Sequence, residues 1–370
     1  MTSDDTSTGA PTLAQAIAEV LAQMPDPSGG SAARHLENEL ARAFDIPHAV
    51  TTSCGTAALH AALSACGIGP GDEVLLPALT VVMSAAPVVA LGATPVFVDS
   101  DPATVDLDFD DAARKVTAHT KAIMPVHLWG RMGSPDTLLA FAAEHGLAVV
   151  EDAAQAAGTT RQGRRAGTVG DVGCFSMKDG KILWSGEGGF LLTRSHEIAQ
   201  HAAAFRSHWQ DVSPGQKAQS RIATNCRLAA PLAAIASSNL RRLPALLEHR
   251  RAQTRQLHEH TAHVRGLQAL PPPANGDWNS FAALFRIDLP RPRAFAEHLA
   301  RSGVPNSTGS FGLVPCDARP MFLDRDRPPC ASAAQILDHT LAVIVTERDS
   351  PAQLERYATT IRRAVHAWQP

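Results

Sequence analysis

Residues 170 to 189 read GDVGCFSMKDGKILWSGEGG, and the fold follows from how this stretch is divided. Val172 and Gly173 lead through Cys174 and Phe175 in a short apolar run, the pattern of a buried strand. A polar turn over residues 176 to 180 presents Lys181. Residues 182 to 184 are apolar again and run into Ser185-Gly186-Glu187-Gly188-Gly189. Glycines at this density imply tight turns and close backbone approach around the lysine amine. An amine held among apolar groups loses hydration and gives up its proton more readily, which a Schiff-base lysine requires. On this stretch alone, a lysine in an ordinary surface turn is the simpler account.

Working outward, the segment from His145 reads HGLAVVEDAAQA. Residues 147 to 150 form a strand that ends in Glu151 and Asp152. A carboxylate at the carboxyl end of such a strand points into the crevice where α/β folds bind ligands. With pyridoxal phosphate as the ligand, Asp152 has a definite role, since it keeps the pyridine nitrogen protonated and the ring an electron sink. The competing account is an Asp that caps the next turn. Neither signal decides alone, but one cofactor needs both residues.

At 370 residues the chain exceeds the usual size of a single core, so two domains are expected, residues 1–240 and 241–370. The net charge of −3 and the scattered charges argue against nucleic acid or an anionic membrane as the main partner. No run of 18 apolar residues occurs and the amino terminus is polar, so neither a membrane span nor a signal peptide is expected. The cysteines, at 54, 66, 174, 226, 316 and 330, form no C-x-x-C pair and fit reduced thiols in a cytoplasmic protein. Histidines lack metal-motif spacing, and no metal is expected. Only five lysines occur, which makes a buried one easier to single out.

The remaining chain alternates short apolar strands with helices. Helices are read over residues 12–21, 32–44, 56–64, 80–91, 134–145 and 197–206, and strands over 73–76, 94–98, 121–126 and 190–193. A turn is read at 25–30 and a polar loop at 211–224. This alternation predicts a mainly parallel sheet covered on both faces. No G-x-G-x-x-G follows the first strand, which counts against a nicotinamide enzyme. The turn at Ser53-Cys54-Gly55-Thr56 sets free N–H groups at a helix start, suited either to a phosphate or to simple capping. Residues 226–240 form an alanine-rich stretch interrupted at Pro231 and a candidate dimer surface. A charged helix over 241–265 bridges to the second domain. That domain reads as a strand at 281–287, a helix at 290–301, a loop at 304–332, a strand at 341–345 and a helix at 350–367.

These residues resemble the DegT/DnrJ/EryC1/StrS family of sugar and cyclitol aminotransferases, with aminohydroxybenzoate synthases as close relatives. The resemblance rests on TSCGTAALHAAL at 52–63, GDEVLLPALT at 71–80, GATPVFVDSDP at 92–102, PVHLWG at 125–130, EDAAQAAG at 151–158 and the opening stretch. It covers residues 25–240 well and the rest weakly, and KILWSGEGG leans toward the cyclitol and aminohydroxybenzoate branches. It implies an α/β fold-type I transferase with a mainly parallel seven-stranded sheet and a smaller C-terminal αβ domain, working as a homodimer with shared sites. By matching motif, Lys181 would bind pyridoxal 5'-phosphate as a Schiff base and then act as general base. Asp152 would pair with the ring nitrogen and Gln155 would bond near the ring hydroxyl. Gly55, Thr56 and Ser176 would cradle the phosphate, and Asn225, of an N-x-R motif completed by Arg227, would reach the partner's cofactor. The resemblance implies glutamate or glutamine as donor and a keto sugar or cyclitol as acceptor.

Three departures stand out. Val81 occupies the cofactor-side position where the family commonly carries a stacking aromatic, leaving Trp129 or Trp184 as candidates to replace it. Lys178 lies unusually close to Lys181, either depressing its pKa or pointing to solvent. The C-terminal region lacks the family's histidine-bearing substrate segment, so the acceptor need not be a typical nucleotide sugar. A second reading is elimination, dehydration or a carbon–carbon bond step on the same cofactor, although relatives that dehydrate generally replace the lysine. A third is a catalytically silent structural or regulatory homologue, disfavoured by intact Lys181, Asp152, Gln155 and Ser176.

Overall fold

The computed structural model describes residues 12–24, 31–210, 220–272, 275–322 and 328–369. At its centre is a seven-stranded sheet in the order His48–Thr52, Gly189–Thr193, Val172–Ser176, Ala148–Asp152, Thr120–Ile123, Glu73–Pro77, Thr94–Val98. The Gly189–Thr193 strand runs antiparallel to both neighbours, and every other pairing is parallel. Strands buried on both faces should be apolar throughout. Accordingly, Val149 and Val150, adjacent on one strand, belong to different core clusters on opposite faces. Phe175 and Phe190 stack across the antiparallel pair at 4.6 Å.

Local signals set up the strand that ends in Asp152. Ser134 caps the Pro135–His145 helix by accepting from Thr137 N–H, with Pro135 in the first turn. Gly146, at φ 64°, ends that helix in a left-handed turn that suits glycine, and the Ala148–Asp152 strand follows at once. Its pairing with Val172–Ser176 sets Asp152 opposite Cys174, one strand from the segment that leads to Lys181.

A second sheet of three strands, Leu267–Ala269, Ala282–Ile287 and Thr340–Ile344, is antiparallel. With the Pro292–Arg301 and Pro351–Ala367 helices it encloses a core that includes Phe285, Phe295 and Leu341. The Leu243–Thr261 helix packs on both Pro351–Ala367 and the Ala282–Ile287 strand. A third, small sheet joins Gly276–Asp277 to Thr160–Arg161 and Arg164–Arg165.

The expected elements are present with shifted ends in several places. The strand expected over 121–126 is Thr120–Ile123, because Pro125 and the turn at His127 break the ladder. Pro231 does not interrupt a helix. It occupies the first turn of Ala230–Arg241, where its missing N–H costs nothing. Likewise the helix expected from 290 starts at Pro292, after Arg291 in a left-handed turn. The stretch 304–332 is not all loop: it includes a short 3-10 turn, Cys316–Ala318, and the first residues of an Ala331–Asp338 helix. The small third sheet carried no readable period, since its strands are two residues long. Residues 25–30 and most of the loop at 211–224 lie outside the described residues.

Candidate active site

Two neighbouring carboxylates end the Ala148–Asp152 strand, and successive side chains on a strand point to opposite faces. Glu151 is fully buried. It pairs with the His127 imidazole at 2.9 Å and accepts from the backbone N–H groups of Gly167, Val169 and Gly170 at 2.7–2.9 Å. Burial by itself would push its carboxyl up. The imidazole and the backbone donors outweigh that and hold it below the ordinary carboxylate range. Glu151 is thereby spent on tying the 167–170 turn to the sheet.

Asp152, 4% exposed, faces the other way. Its Oδ1 accepts from Ala154 N–H at 3.1 Å and its Oδ2 from the Ser84 hydroxyl at 2.7 Å. Ser84 in turn lies 2.7 Å from the Thr80 hydroxyl. Lys181 is close enough for Asp152 to act on it electrostatically. Burial pushes the Lys181 amine down to about 8; Asp152 opposes that fall and the exposed Lys178 adds to it. The amine also lies 5.0 Å from the centre of the Phe281 ring. Its turn is fastened at Lys181 N–H to the Lys178 carbonyl, and at the Gly180 carbonyl by the buried Arg250.

Gln155 is anchored by its oxygen, which accepts from Trp129 N–H at 2.7 Å. That leaves its amide NH₂ as the end able to donate to a ligand. Around it the chain closes on itself. Trp129 Nε1 donates to Ser307, Trp278 Nε1 donates to the Trp129 carbonyl, and Asn279 donates to the Gln155 and Ala157 carbonyls. Trp129 is 1% exposed and held by its indole N–H, while Trp184 donates to Glu347. Both indoles that sequence reading offered as replacements for an aromatic at 81 are thus engaged in bonds reaching the C-terminal half. Val81 is half-buried at the start of the Val82–Ala90 helix and packs on the core cluster that contains Trp129 and Phe281.

Gly55 opens the Gly55–Ala65 helix, with Cys54 as its N-cap and Thr56 next. A Cβ at Gly55 would lie 2.8 Å from the Ser176 Cβ, so only glycine allows this helix start and Ser176 to meet. Asn225 and Arg227 are exposed. They line a cavity of about 310 Å³ with Val20, Met24 and Pro231, and the Cys226 carbonyl between them accepts from Ser53 N–H, just before the Gly55 helix start.

These residues fit pyridoxal phosphate on their own chemistry. A helix start and a serine meet only because a glycine omits its Cβ, and a carboxylate held by two donors acts on a nearby amine whose pKa is lowered. Sequence reasoning missed Ser84, Asn279, Phe281 and Ser307. Ser84 lies in the first turn of the Val82–Ala90 helix while Thr80 precedes its N-cap, so their contact was not readable as a shared helical face. The other three carry no local signal.

Comparison with known proteins places the chain in a family. The sequence matches the DegT/DnrJ/EryC1/StrS aminotransferase family over residues 10–362. It is 33% identical over 340 residues to a UDP-N-acetyl-3-dehydro-alpha-D-glucosamine 3-aminotransferase of Acidithiobacillus ferrooxidans, covering 91% of this chain and 89% of that protein. It is 43% identical over 187 residues to an L-glutamine:2-deoxy-scyllo-inosose aminotransferase of Streptoalloteichus tenebrarius, although that match spans only 50% of this chain and 44% of the relative. The crystal structure of DesV from S. venezuelae, solved with a ketimine intermediate, superposes with a TM-score of 0.85 at 30% identity, over 96% of this chain and 95% of that one. On its sequence match and fold, this chain belongs to the DegT/DnrJ/EryC1/StrS aminotransferase family.

Proposed function

We propose that this aminotransferase uses pyridoxal 5'-phosphate to move an amino group from glutamate or glutamine to a keto group of a sugar, cyclitol or similar small cyclic substrate. The observation that carries the proposal is the Lys181 amine, set 5.0 Å from the Phe281 ring, lowered to about 8 by burial and within electrostatic reach of the Asp152 carboxylate at its strand end. Bound there, the cofactor would supply an electron sink for the carbon that loses its proton. Lys181 would hold the cofactor and, once displaced by a donor, act as the base that takes and returns that proton. A pKa near neutrality suits a group that must do both. Asp152 would hold the proton on the ring nitrogen. Gln155 would donate its amide to the ring hydroxyl, and Gly55, Thr56 and Ser176 would hold the phosphate. Val81 would border the ring without a flat stacking surface.

The choice of donor and acceptor is supported by the relatives, of which one is named for L-glutamine and a cyclitol ketone and another for a keto sugar. The same proposal includes a homodimer in which exposed Asn225 reaches the partner's cofactor, and a division of the chain near residue 240. No helix among the described residues is long and apolar enough to cross a membrane.

The test is Lys181→Ala with added cofactor. It should lose the visible band of lysine-bound pyridoxal phosphate and roughly 1,000- to 10,000-fold of turnover. A band that survives would move the attachment point elsewhere. With the intact protein, glutamate or glutamine should convert the cofactor to pyridoxamine phosphate. Release of ammonia or water without that conversion would favour elimination instead.

A further inference from the structure

Thr80, Ser84 and Asp152 form a buried polar file, and their chain neighbours Leu79, Ala85 and Val150 belong to a buried hydrophobic cluster. Hydroxyls in such surroundings are costly unless bonded. An ionised carboxylate only accepts, so the single Ser84 proton goes to Asp152 Oδ2 at 2.7 Å. Ser84 then has only a lone pair to offer Thr80, which makes the Thr80 hydroxyl the donor in the second 2.7 Å contact. The file is therefore polarised one way, Thr80 to Ser84 to Asp152, and each bond strengthens the next. Cys316 fixes its far end: its N–H donates to the Ala78 carbonyl at 2.8 Å and its thiol to the Thr80 carbonyl at 3.3 Å.

We infer that Ser84, backed by Thr80, is a positioning residue that fixes the Asp152 carboxylate for the cofactor's ring nitrogen. The inference rests on the cofactor reading above. With Oδ1 held by Ala154 N–H and Oδ2 by Ser84, the carboxylate plane cannot turn. Without Ser84, Oδ2 is free, before the cofactor is attached, to swing toward the Lys181 amine, a partner that already feels Asp152. Among the described residues, Asp152 acts on Lys181 and on the buried Cys174 thiol, which burial pushes far up and keeps neutral. Lys181 is thus the only charged competitor for the carboxylate among these groups.

The experiment compares Ser84→Ala and Thr80→Val with the native protein, each reconstituted with pyridoxal phosphate. Ser84→Ala should bind the cofactor about tenfold more weakly and lower kcat about tenfold, as expected for losing a hydrogen bond to a charged group, with the donor KM unchanged. A ring nitrogen held less firmly protonated withdraws fewer electrons, so the pH midpoint of the lysine-bound visible band should move upward. Thr80→Val, which keeps the side-chain shape, should shift the same readouts in the same direction by a smaller factor. It carries the test if Ser84→Ala does not fold. Folded variants whose band midpoint and cofactor affinity match the native protein would overturn the inference, as would a fall in thermal stability alone. Because Lys181→Ala tests the attachment separately, its failure and that of Ser84→Ala are distinguishable.

Discussion

Glu151 and Asp152 are neighbours of the same chemical type at the end of one strand, and they do opposite jobs. Glu151 faces the side closed by His127 and the 167–170 turn, where an imidazole and three backbone donors surround it. Asp152 faces the Lys181 side, where it receives one hydroxyl and one N–H and acts on a nearby amine. The pleat of the strand assigns the faces. What each carboxylate then does depends on how completely its acceptor sites are consumed. Glu151 is saturated by the fold and Asp152 retains lone pairs for a ligand.

The contrast is open to direct attack. Glu151→Ala should have the largest effect, a loss of roughly 3–5 kcal/mol of stability. It strands His127 and three N–H groups in the core. Chemical denaturation checks this, and the fraction still folded should keep the cofactor band. The same residue sets an acid limit. Its folded carboxyl lies below its unfolded value, so its contribution is complete above the ordinary carboxylate range and fades as pH falls through the depressed value. That part of the acid stability curve should flatten in Glu151→Ala. If Glu151→Ala instead spared stability and removed activity, the two roles would have been assigned backwards.

Asp152→Asn should do the reverse. We expect kcat to fall roughly 100- to 1,000-fold, the scale of one electrostatic stabiliser, with little change in the melting temperature. The smallest effect belongs to Lys178→Ala. Lys178 is exposed and helps depress the Lys181 amine, so its removal should let that pKa rise slightly. Cofactor capture by the apo-protein at pH 7, followed by absorbance, should slow by about twofold or less. No change in that rate would mean Lys178 is fully screened by solvent.

Much of the large sheet was legible because its signals are local. The run through Val172 to Phe175, the strand ending in Asp152 and the helix start at Gly55 each carry their pattern within a few residues, and each formed where expected. The C-terminal half was harder. The Cys316–Ala318 turn and the Ala331–Asp338 helix lie in a stretch rich in proline and glycine, where composition suggests loop. The Gly276–Asp277 strand exists only because Thr160–Arg161 is there to pair with it. Phe281 next to the Lys181 amine, and Ser307 under the Trp129 indole, likewise depend on contacts about 100 and 178 residues apart.

Residue order alone determined which groups could carry the chemistry: a lysine among glycines, an aspartate at a strand end and a glycine at a helix start. Short-range patterns suffice for that, because turns, caps and strand periodicity are properties of adjacent residues. Only the folded chain decided that Glu151 is used up and Asp152 is not, that Gln155 presents its NH₂ end, and that the Lys181 amine falls to about 8. Those outcomes depend on desolvation and on donors brought in from distant segments, and neither exists until the chain has closed around them.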